Sequence, residues 1–163
     1  MNKTRRAPNA ANTLTEVLIA LVLVGIFFAS IFELNAVCLR YIEASKEAVT
    51  GIAAVQDRTE VVRNLAFTDL TSSTYMQNLL VTPANGSDLA NRATEVVKLQ
   101  AYPTADGVTQ FTRLPNGTVS NDSTATSLGS SLVQVDVSTS WNMLGGRARS
   151  ETTSTVISNG TKK

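Results

Sequence analysis

The sequence predicts an α+β protein: one long N-terminal helix, membrane-spanning first and amphipathic afterwards, packed on a small antiparallel β-sheet headgroup. Three observations lead there. An uncharged apolar run from Val17 to Phe32 follows a short basic leader. Helix-forming sequence without proline continues from Glu33 to Phe67. From Thr68 onward Thr, Ser, Asn and Gly become frequent, and short β-like runs alternate with turn signals.

Residues 1–11 read as a leader. Lys3, Arg5 and Arg6 lie there without an acid, Pro8 opposes a continuous helix, and the small pair Ala10 and Ala11 precedes the apolar run. A secretory signal places its small-residue cleavage site after the apolar stretch. Cleavage after Ala11 would instead leave the apolar segment on the mature chain.

Residues 12–32 read as a membrane helix. Leu14 and Val17 to Phe32 occupy about 19 residues, or about 28 Å at 1.5 Å per residue, close to the hydrocarbon thickness of a bilayer. The basic flank predicts a cytoplasmic N-terminus, with everything after Phe32 outside. Gly25 and Ser30 weaken local helix propensity without ending the helix. Glu16 stands at the mouth of the apolar run. A charge within a membrane segment costs about 2.5 to 3.5 kcal/mol at its centre and less near an end, so Glu16 calls for a partner.

Residues 33–70 read as the amphipathic continuation, with the helix extending to Phe67. Leu34, Val37, Tyr41, Ala44, Ala48, Ile52, Val55 and Val62 recur at spacings that gather them on one stripe. Glu33, Arg40, Glu43, Glu47, Arg58, Glu60 and Arg63 are assigned to the opposite side. From Asn12 to Phe67 the helix would measure roughly 84 Å. A solitary apolar stripe stays wet, so its outer half must pack on something.

Residues 71–163 read as the β-rich headgroup. Strands are expected over 95–102, 109–114, 118–120, 132–141 and 147–158. Asn116 and Gly117 mark a hairpin turn, where both residues tolerate positive φ. Val133, Val135, Val137 and Thr139 share one face of their strand, and Gln134, Asp136 and Ser138 the other. Gly145 and Gly146 supply the next turn, and Trp141 beside it is a packing residue. Residues 71–91 and 121–131 are expected to be loops, with a short helix around 75–80.

Composition narrows the chemistry. Without the leader, 11 of the 14 basic side chains face all 13 acidic ones, a net of −2. No basic field remains to attract nucleic acid, so none is expected as a direct partner. Histidine is absent, which removes the usual general base near neutral pH and the commonest metal ligand. Cys38 is the single cysteine, expected to be a buried, inert thiol. No catalytic residue, metal or cofactor is expected, and the chain is not read as an enzyme. Asp106 with Gly107, and Asn121 with Asp122, are read as ordinary turns rather than a calcium loop, which would need six or more oxygens.

The basic leader, small residue, polar tetrad Asn12 to Thr15, Glu16 and unbroken apolar helix together resemble the type IV prepilin processing signal. In that family a prepilin peptidase cuts after a small residue, usually glycine, and methylates the new amine; the glutamate is the fifth mature residue. Cutting between Ala11 and Asn12 makes Glu16 the fifth. The sequence departs in Ala11, in Asn12 where phenylalanine or methionine is usual, and in lacking a later proline in the apolar helix. These departures resemble a minor, low-copy subunit. More loosely, Glu60 to Leu70, Val135 to Trp141, the Gly145 to Arg147 turn and the Thr-rich final strand look like the helix end and closing hairpin of minor pilins and type II secretion pseudopilins.

The resemblance implies a ladle-shaped pilin fold and a structural role. The peptidase would remove the leader and methylate Asn12. Glu16 would pair with the N-terminal ammonium of a neighbouring subunit and set filament register, and Gly25 would sit where the helix can locally unwind. The implied partners are the prepilin peptidase, other pilin or pseudopilin subunits, the inner-membrane assembly platform and membrane lipid. The implied location is the inner membrane, single-pass with the headgroup periplasmic or extracellular, and then a filament. A type IV pilus, a type II secretion pseudopilus and a DNA-uptake pseudopilus remain open. So does a signal-anchored exoplasmic binding domain that never polymerises.

Overall fold

A computed structural model describes residues 10–125, 127–129, 131–143 and 146–160, with the backbone alone for residues 10–12. The leader cations, Pro8, Gly145 and the terminal Lys162 and Lys163 lie outside the described residues. The chain divides into two units between Glu43 and Ala44. A single helix, α1 (Ala10–Arg63), supplies the described part of the first and enters the second.

In the first unit every residue from Thr13 to Glu43 is exposed, the apolar ones included. This helix is long and apolar enough to cross a membrane. Cys38 is exposed as well, contrary to the buried thiol expected from its apolar neighbours. Val37 and Leu39 show what surrounds it in sequence, and in this stretch the helix buries no described residue.

The second unit is an antiparallel five-stranded sheet with helices on one face. α1 stops at Arg63 rather than at Phe67. Its last turn tightens as the Leu65 N–H donates to the Val62 carbonyl at 3.2 Å, and Ala66 is extended. The break lets α2 (Phe67–Leu70) bring Leu70 into the core. α3 (Ser73–Val81) covers the short helix expected around 75–80, and Ser72 caps it by accepting from the Tyr75 N–H at 3.4 Å. α4 (Asp88–Arg92) falls in an expected loop. Ser87 caps it by accepting from the Ala90 N–H at 3.1 Å, a start signal legible in the pair Ser87 and Asp88.

Five strands follow: β1 (Thr94–Ala101), β2 (Thr109–Arg113), β3 (Val119–Ser123), β4 (Leu132–Asn142) and β5 (Ala148–Ser158). Their order is β3-β2-β1-β4-β5. Asn121 and Asp122 lie in β3, opposite Phe111 and Gln110, rather than in a turn. On β4 the sequence alternation holds, with Val133, Val135, Val137 and Thr139 buried and Gln134, Asp136 and Ser138 half-buried. Val55 and Val62 of α1 meet these valines, Val97, Leu99 and Phe111 in one core, closed by Leu70, Met76 and Leu80.

The β2–β3 connection is a three-residue loop, one residue longer than an Asn-Gly turn with two positive φ angles. The Gly117 N–H donates to the Leu114 carbonyl at 2.9 Å, and Gly117 alone is left-handed, at φ 81°. This is a type I turn through Pro115 and Asn116, ended by a glycine bulge. The β4–β5 connection uses the same closing bonds. The Gly146 N–H donates to the Met143 carbonyl at 3.0 Å, with Gly146 also at φ 81°, and the Met143 N–H to Arg147 at 2.9 Å.

Candidate functional site

The residues singled out in the sequence all lie on α1 in the first unit. Ala11 and Asn12 occupy its first turns. Glu16 follows one turn later, exposed, with no ion-pair partner among the described residues. Its helical neighbours at three and four residues are Thr13, Asn12, Ile19 and Ala20, and none is a cation. No helical neighbour of Glu16 can therefore serve as its counter-charge. Among the described residues nothing lies within 4 Å of the position a Cβ on Gly25 would take, so none of them requires glycine there. Ser30 returns its hydroxyl to the Ile26 carbonyl at 2.9 Å, which removes a polar group from the apolar surface.

In the second unit the charged residues that matter were assigned by sequence to the wrong side of the helix. Arg58 is buried. Its Nε donates to Glu95 Oε1 at 2.5 Å and one terminal nitrogen to Oε2 at 3.1 Å. The remaining donors reach the Thr82 carbonyl at 2.6 Å and the Leu79 carbonyl at 3.4 Å. One guanidinium thus ties α1 to β1 and to the end of α3. A buried pair with this many partners fixes geometry, and losing either member leaves an uncompensated charge.

Its position was readable. Ala54, Val55, Arg58, Thr59 and Val62 recur at helical spacing, and Glu95 alternates with Val97 and Leu99. Glu47, one turn before Gly51, is half-buried and pairs with Arg92 of α4. Ile52, placed on the apolar stripe by sequence, is instead exposed. The buried stripe runs through Gly51, Ala54, Val55 and Arg58 because Gly51 sits under the indole of Trp141.

These charges serve packing. Among the described residues no three His, Cys, Asp or Glu side chains gather where a metal could be held. Glu47 Oε2, Arg113 Nε and Trp141 Nε1 are buried without a hydrogen-bond partner. A groove of about 180 Å³ lies between α1 and β5, lined by Gln56, Thr59, Glu60, Arg63 and residues Thr153 to Thr155. It is open and polar.

Two surfaces therefore remain available to other molecules. One is the apolar first half of α1 with Glu16 at its start; the other is the groove beside β5. No family model, curated protein or solved structure matches the chain.

Proposed function

We propose that this chain is a minor structural subunit of a type IV pilus or of a type II secretion pseudopilus. A prepilin peptidase processes it between Ala11 and Asn12, and it assembles through the first half of α1. The observation that carries the reading is Glu16, a carboxylate without an intrahelical partner at the start of an entirely exposed apolar helix. A membrane explains the apolar surface alone. The register of Glu16, fifth after Ala11, is explained by a new ammonium in a neighbouring chain.

On this reading the leader is cytoplasmic and the sheet unit periplasmic or extracellular, in the ladle arrangement of the family. Apolar contacts among residues 17–32 hold the filament, and pairing of Glu16 selects the axial step, because an unpaired charge in that core is strongly disfavoured. The role is mechanical, with no chemical step on this chain.

Mass spectrometry of the mature N-terminus tests the reading. A chain beginning at N-methylated Asn12 is expected. An intact Met1 in membranes that contain an active prepilin peptidase would overturn it in favour of a non-polymerising anchored domain.

A further inference from the structure

The two edges of the sheet are treated differently. β3, at one edge, has five residues, carries Asp122, and packs against α3. β5, at the other, has 11 residues. From Thr152 to Ser158 it contains no charge, glycine or proline, so it lacks the usual devices that discourage strand addition.

The ladder fixes which peptide groups of β5 are unpaired. The Asn159 N–H donates to Ser131 at 2.8 Å, and the Met143 N–H donates to Arg147 at 2.9 Å. Both bonds continue the β4–β5 register at its two ends, and both involve odd-numbered residues of the β5 side. In an antiparallel ladder alternate pairs exchange hydrogen bonds. Odd-numbered β5 residues thus bond to β4, and Ser150, Thr152, Ser154 and Val156 turn their N–H and C=O groups outward. Ser154, at the middle of this row, borders the groove against α1.

We propose that the β5 edge and this groove form a strand-acceptor site, which takes an extended, uncharged segment rich in Thr, Ser or Asn from another protein as a sixth strand. Main-chain bonds to the four outward residues hold the segment, and every second side chain enters the groove. The lining sets its chemistry. Thr153 and Thr155 favour hydroxyl neighbours across the strands. Glu60 and Arg63 pair at 2.8 Å on the exposed face of α1 and so present no net charge to an incoming segment. A groove of about 180 Å³ admits small side chains but no second helix. The incoming strand is therefore one that no helix flanks, unlike β5 of a second copy. The inference needs only the sheet unit and is independent of the filament reading.

The test uses the full chain in detergent and a capped, uncharged peptide with the sequence of Thr152 to Ser158. Residue-resolved amide exchange is read with and without peptide. Saturating peptide is expected to slow exchange at Ser150, Thr152, Ser154 and Val156 by about tenfold or more. Thr153 and Thr155, already bonded to β4, should change little. The same peptide N-methylated at every residue, which blocks the N–H groups of both its edges, should give no protection. Ser154→Pro removes an outward N–H without breaking the β4 ladder, and should abolish peptide protection while Thr153 and Thr155 stay slow. Unchanged exchange at the outward amides would overturn the proposal. Equal protection by the N-methylated peptide would do so too. Concentration-dependent protection of those amides without peptide would also overturn it, because the edge would then be an interface between copies of this chain.

Discussion

Gly51 of α1 lies directly beneath the ring of Trp141. A Cβ on Gly51 would stand 2.7 Å from Cζ3 and 3.1 Å from Cζ2 of the indole. The ring is part of a well-packed layer with Leu89 and Ala93, so it has little room to withdraw. Glycine in a helix interior costs about 1 kcal/mol relative to alanine, a cost that the close approach of the indole offsets here.

Gly51→Ala is therefore expected to destabilise the sheet unit by about 1 to 3 kcal/mol despite improving helix propensity. Trp141 is the only tryptophan, so its fluorescence during denaturant unfolding reports the change directly. An increase in stability would mean that the indole shifts freely.

Removing Arg58 alone should be costly. Arg58→Ala leaves the buried Glu95 carboxylate uncompensated and is expected to cost about 3 to 5 kcal/mol. The double variant Arg58→Met with Glu95→Leu should recover part of this. Recovery stays incomplete because the Leu79 and Thr82 carbonyls lose their donor. Urea denaturation of the full chain in detergent compares the three proteins.

Glu16→Ala is expected to leave membrane insertion unchanged and to reduce assembly severely. Fractionation of membranes and sheared surface material, probed for this chain, separates the two effects. Normal incorporation of the variant would refute the pairing role of Glu16.

Gly117→Ala places a Cβ at φ 81° and should cost about 1 to 2 kcal/mol, with no contact to relieve or worsen it. Asn116→Ala should cost less, because it removes only the side-chain bond from the Thr118 N–H at 3.0 Å. Thermal melts of both variants test the order.

Cys38 should react with a maleimide in the detergent-dispersed chain without prior unfolding, since its side chain is exposed. Mass spectrometry of the intact protein reads the adduct. Resistance under native conditions would show that neighbouring chains cover it.

The sequence carried the helix and most of the sheet because both follow from periodicity. Val133, Val135 and Val137 could face only one way, and proline-free sequence kept α1 continuous. Polarity was a poorer guide than spacing. Arg58 and Glu47 looked like outward residues because they are charged, although their positions matched Val55 and Gly51 on the buried stripe. The bonds that resolve Arg58 come from Glu95, Leu79 and Thr82, too distant in sequence for any local pattern. α4 escaped notice because a five-residue helix has almost no period to detect. Glu16 was legible by its incongruity alone, and no described residue of the chain supplies its counter-charge.

The two glycine-ended turns have a further consequence. Strand directions place residues 114–118, Met143 and Arg147 at the same end of the sheet, where backbone bonds close each connection. Residues 102–108 and Thr124 meet at the other end, joined where the Thr124 N–H donates to Val108 at 2.8 Å. Residues 103–106 project from that junction, exposed. One rim of the sheet is thus a fixed hinge line and the other a rewritable margin. An epitope tag or fluorophore acceptor inserted between Thr104 and Ala105 would mark the protein in living cells while leaving the helix, the core and the β5 edge as they are.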